Sequence, residues 1–69
     1  MVEKARIRVV GKEFPCGDER EIRETIRKLQ RELKRHVETV GGHDEVAFAL
    51  EDAVEMLKQD LKAMKESKP

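Results

Sequence analysis

The first pattern of apolar and polar positions in the chain has a period of two. Ala5, Ile7 and Val9 alternate with Arg6 and Arg8, which predicts a half-buried strand because successive side chains of an extended chain point to opposite faces. Gly11-Lys12 is expected to turn the chain. Residues 13–16 form a second extended piece, with Phe14 and Cys16 sharing an inward face. Pro15 has no backbone N–H to give a ladder, so this piece must be an edge. Residues 4–16 therefore read as a two-stranded hairpin. Such a hairpin is marginal alone and has to lie on something apolar.

Beyond the hairpin the period lengthens. Asp18 is placed to cap a helix, with Glu21 three residues later in capping-box position. Ile22, Ile26, Leu29, Leu33, Val37 and Val40 then follow at spacings of three and four, one face of a helix. Gly41-Gly42 ends it, and Asp44 caps a second helix. Its stripe is Val46, Leu50, Ala53, Leu57, Leu61 and Met64, widened by Ala49, Val54 and Met56. The expected spans are 18–41 and 44–66. The short connection folds them back as an antiparallel helical hairpin. Stepping by about 100° per residue puts Phe48 on the charged side of helix 2, near Asp52, Glu55 and Lys62. The fold class is α+β, one domain over 1–69.

Size changes the picture. A chain of 69 residues that is 43% charged and 38% hydrophobic has little with which to offset roughly 1.5 kcal/mol of ordering entropy per residue. A disulfide, a metal or a partner subunit is the usual remedy. The single Cys16 can form no internal bridge, so a reducing, cytoplasmic setting is expected. Residues 1–8 mix charges of both signs and have no leader character. The longest uncharged apolar run, 46–50, is far short of the about 20 residues that span a bilayer, so no membrane association is expected. A partner subunit remains, and a homodimer is the expectation.

Charge refines this. The formal net charge is +0, which argues against a generic polyanion binder and against nucleic acid as partner. Yet residues 1–40 hold eleven Lys and Arg against eight Asp and Glu, a net +3, while 41–69 hold four against seven, a net −3. The halves are opposite in sign.

The motif Ile7-x-Val9-x-Gly11-x-x-Phe14, the acidic capped entry Gly17-Asp18-Glu19, one long helix, an Asp-led loop and an Ala-rich second helix resemble the ZapA family of cell-division proteins over roughly residues 5–61. The family commonly carries an Asn in the first half of helix 2, where this chain has Asp52 or Ala53. The resemblance implies an intertwined homodimer of hairpin and helices with a short C-terminal coiled coil, which in the family joins dimers into tetramers. It implies a protein without catalytic activity or cofactor that binds FtsZ at the division ring and crosslinks and bundles its filaments. It also implies that the outer, C-terminal part of helix 1 meets FtsZ.

The residues themselves mark that surface. Relative to Arg20, Arg27, Arg31 and Lys34 fall within about 40° and Glu38 close to 0°, opposite the Ile22 to Val40 stripe. An acidic filament suits such a row. The bland reading is a solvated helix with local pairs such as Glu24 and Lys28, worth about 0.2 to 0.5 kcal/mol. The partner-binding candidates are Arg27, Arg31, Lys34, Arg35 and Glu38. The dimer and core candidates are Ile7, Val9, Phe14, Ile26, Leu33, Phe48, Leu50, Leu57 and Leu61. His36, His43, Asp44 and Cys16 lack metal-ligand spacing, so no metal site is expected. His43 reads as a loop residue, His36 as a flank of the core stripe and Cys16 as a small buried hydrophobe. Two other readings stand beside this one. A strand with outward Arg6 and Arg8 ahead of two helices resembles ribbon-helix-helix repressors, whose paired strands enter the major groove. A generic helical-hairpin dimer without a specific client fits everything except the Gly11/Phe14 signature.

Overall fold

A computed structural model describes residues 5–66. Residue 4 of the expected hairpin, and the ends of the 1–69 domain, lie outside the described residues. The chain forms β1 (Arg6–Val9), β2 (Lys12–Pro15), α1 (Glu19–Val40) and α2 (Glu45–Glu66) in that order. This is a β-hairpin followed by two helices, an α+β fold. The start of α1 lies beside the end of α2, with Ile26 and Leu61 walling one hollow, so the helices are antiparallel.

The register of the hairpin explains its sequence. Val9 pairs with Lys12, Ile7 with Phe14 and Arg6 with Pro15, and the Cys16 amide donates to the Ala5 carbonyl at 3.0 Å. Ladder bonds alternate along an antiparallel pair, so 5–16, 7–14 and 9–12 are the bonded pairs and Pro15 falls in a non-bonded one. Its missing N–H costs the ladder nothing. Directly opposed residues share a face. Ile7, Val9 and Phe14 thus face the helices, while Arg6, Arg8 and Glu13 face away. Both arginines lie 3.6 Å from Glu13.

The turn is Val10-Gly11, one residue earlier than Gly11-Lys12. Both residues have positive φ, 50° at Val10 and 78° at Gly11, the backbone of a two-residue hairpin loop whose twist matches the strands. Valine is a poor occupant of that region, at a cost of roughly 1–2 kcal/mol. Register decides the matter. Shifting the turn to Gly11-Lys12 would swap which side chains of one strand face the core.

Capping places the helix ends. The Glu21 amide donates to Asp18 Oδ1 at 2.8 Å, while Glu21 Oε1 accepts from the Gly17 amide at 3.1 Å. The carboxylate thus reaches back to the residue before the cap. At the other end Gly41 takes the left-handed conformation, φ 80°, and its amide donates to the Val37 carbonyl at 2.8 Å. Asp44 Oδ1 accepts from the Ala47 amide at 3.0 Å. The expected spans 18–41 and 44–66 included these caps, which leaves 19–40 and 45–66 as the helices.

The core is Val9, Ile22, Ile26, Leu29, Leu50, Ala53, Val54 and Leu57, with Ile7, Phe14, Cys16, Leu33, Val46, Leu61 and Met64 half-buried against it. Three stripe residues depart from expectation. Val40, at the loop end of the helical hairpin, is 54% exposed, and Met56 is 50% exposed. Ala49 is exposed as well. Cys16 is half-buried, not buried. Ala47 is fully buried, although it was no part of the expected stripe. Thr25 is the buried polar residue, 1% exposed, and its hydroxyl donates to the Pro15 carbonyl at 2.7 Å. That bond ties β2 to the first half of α1.

Candidate partner-binding face

The outward face of α1 is built by its amphipathic period. With Ile22, Ile26 and Leu29 turned into the core, Arg20, Arg27, Arg31, Lys34, Arg35 and Glu38 are all exposed. Local pairing divides this face in two. In its first half Arg20 lies 3.7 Å from Glu24 and Arg23 lies 3.0 Å from Glu19, both at i,i+4. Glu24 therefore takes Arg20, not Lys28. Glu32 is held by Lys12 of β2 at 3.2 Å. From Arg27 through Arg31, Lys34 and Arg35 there is no ion pair among the described residues.

Helix electrostatics does not account for this row. Like charges at i,i+4, as at Arg27–Arg31 and Arg31–Arg35, cost roughly 0.2–0.5 kcal/mol each. A cation near a helix C-terminus recovers such a cost from the macrodipole, but the last turn of α1 contains no basic residue. Among the described residues the row thus presents a positive strip with no ion pair of its own. Such a strip attracts an acidic surface and quickens encounter at low ionic strength.

Each of the two histidines lies against a carboxylate. His36 Nε2 lies 2.7 Å from Asp44 Oδ1, and His43 Nε2 lies 3.0 Å from Glu51 Oε1. The His43 ring also meets Phe48, with centroids 6.0 Å apart and a tilt of 47°. His43 is indeed in the loop, and half-buried His36 flanks the core while pinning the α2 cap. The Asp44 carboxyl is held below the usual carboxylate range, first by the Ala47 amide and then by His36. The Cys16 thiol is pushed up by burial and, to a smaller degree, by Asp60 and Glu21. That favours the unreactive protonated form. Among the described residues no three His, Cys, Asp or Glu are grouped to hold a metal ion.

The dimer and core candidates separate by burial. Val9, Ile26, Leu50 and Leu57 are buried within the single chain, Ile7, Phe14, Leu33 and Leu61 are half-buried, and Phe48 is 57% exposed. Phe48 contributes nothing to the core of one chain. Sequence reading missed Thr25 and Ala47. A threonine between Glu24 and Ile26 is polar and so lies outside an apolar periodicity, and Ala47 lies at the shoulder of its stripe, where an alanine is equally at home in water.

No family model matches this chain, and no curated protein or solved structure matches it. Among the described residues no helix is long and apolar enough to cross a membrane.

Proposed function

We propose that this chain is a non-enzymatic accessory of cell division. As a homodimer in the cytoplasm at the division site, it binds FtsZ filaments through the exposed face of α1 and crosslinks them. The unpaired row Arg27, Arg31, Lys34 and Arg35, with Glu38 at its end, carries the reading. Among the described residues of one chain it has no ion pair, and an acidic filament is a partner that would neutralise it. The order of hairpin, capped long helix and second helix is also the order that the ZapA resemblance implies. One such face can only decorate a filament, whereas two faces on one particle can bridge two filaments. The last turns of α2, where Leu61 and Met64 are half-buried, are where a short coiled coil joining dimers into a tetramer would begin.

The ribbon-helix-helix alternative draws less support. It would use Arg6 and Arg8 against DNA, and here both share Glu13 while β1 is paired within the chain to β2. Co-sedimentation with GTP-assembled FtsZ, beside a gel shift on random duplex DNA at about 150 mM salt, tests the two together. The proposal expects pelleting and no retarded DNA. Retarded DNA without pelleting would overturn it in favour of the alternative.

A further inference from the structure

Among the described residues, the hairpin packs on one side of the helix pair and leaves the other bare. Along that bare side two adjoining hollows of about 410 and 340 Å³ follow the seam between α1 and α2, sharing Gln30 and Lys58. Among the described residues, only those of the helices line them. Ile26, Leu33, Val54 and Leu61 form the floor, and half-buried Leu33 and Leu61 bring apolar surface to solvent. The rim is bipolar. Arg23 and Arg27 stand at one end and Glu51, Asp52 and Glu55 at the other. Exposed Phe48 adjoins the acidic end, since stepping by about 100° per residue sets it within about 40° of Asp52 and about 20° of Glu55.

We infer that this groove is the surface through which two copies of the chain pair, antiparallel, about a two-fold axis passing near Gln30 and Lys58. The charge pattern selects that occupant and that sense. A two-fold at the middle of the groove lays the basic end of one copy on the acidic end of the other, and symmetry makes the contact twice. A parallel pairing would set like charge on like. Leu33 of each copy faces Leu61 of the other on either side of the axis, and each Phe48 gains cover at the edge. A stable interface hides about 800 Å² per partner. That is roughly a seventh of the 5599 Å² surface, an area a body 44 Å long can supply along one face. The inference rests on the two-copy half of the reading above and not on the filament.

Charge exchange tests it, with sedimentation velocity of the whole chain across a dilution series and no FtsZ present. The wild type is a dimer at low micromolar concentration. Arg27→Glu and Glu55→Arg each weaken it about tenfold or more, because each creates like-charge contacts on both sides of the axis. The double variant R27E/E55R restores dimerisation to within about threefold of wild type, because positions 27 and 55 of the two copies again face each other with opposite charge. Circular dichroism checks that each variant keeps its helices, as the exposure of both positions requires. A monomeric wild type would leave the groove to a different protein and overturn the inference. So would single variants that dimerise normally, or a double variant no better than its parents. Failure of FtsZ pelleting with this dimer intact would count against the filament reading alone.

Discussion

Replacing Thr25 by Val tests whether one hydrogen bond joins hairpin to helix. The side chains are nearly isosteric, so the packing of this 1% exposed site is preserved and only the hydroxyl is lost. On transfer energetics alone the change would be neutral or stabilising, since a buried methyl replaces a buried polar group. The structure gives the opposite sign. The hydroxyl donates at 2.7 Å to the Pro15 carbonyl, which stands in a non-bonded pair of the ladder and has no cross-strand amide facing it. Leaving that acceptor without its donor costs about 1–3 kcal/mol, and the added methyl offsets part of this. A net loss of about 1–2 kcal/mol is expected. For a chain of this size total stability is on the order of 3–10 kcal/mol, and each kcal/mol moves Tm by about 4–8 °C. Thermal melts followed by circular dichroism, at one fixed protein concentration because pairing also stabilises, should show Tm lowered by roughly 5–15 °C. An unchanged or raised Tm would refute the account of how the hairpin is held.

Further outcomes follow from the same geometry. Val10→Asn should stabilise the chain by about 1 kcal/mol, because φ of 50° is a region asparagine tolerates and valine does not; urea unfolding reads this, and a loss of stability would mean that Val10 packs in a way that outweighs its strain. Asp44 contributes stability while its carboxylate is ionised, because its folded pKa is lowered by the Ala47 amide and by His36. That contribution is present above the unfolded carboxyl value and lost as pH falls through the lowered folded one. Asp44→Asn, which can still cap, should therefore flatten the acid limb of a stability-versus-pH curve; an unaltered limb would acquit Asp44. Cys16, its thiol pushed up by burial, should react with iodoacetamide at neutral pH more slowly than a cysteine in an unstructured peptide. Equal rates would show the hairpin to be open.

Much of this architecture is written in local chemistry. The helices follow from apolar spacing and from Asp18, Gly41 and Asp44, each of which does its work within four residues of its own position. What local pattern does not fix is where one element meets another. The turn moved by one residue because facing Ile7, Val9 and Phe14 to the helices takes precedence over the preference of Val10. Val40 and Met56 keep helical spacing yet lie in water, since periodicity names a face without saying how far the neighbouring element extends. Thr25 gains its partner ten residues away across the hairpin–helix joint. The basic row of α1 was legible as a row. That it stays unpaired was not, because this depended on Glu24 turning to Arg20 and Glu32 to Lys12.

The row is also where the functional account is most exposed to test. Reversing charge at Arg31 and Lys34, which line neither hollow between the helices, leaves the pairing groove untouched. Co-sedimentation of this variant with GTP-assembled FtsZ is the direct measurement. The account requires that it remain a folded dimer and that its pelleting with filaments fall to background where the wild type pellets. Wild-type levels of pelleting and bundling by the variant would contradict the claim that this face of α1 binds the filament.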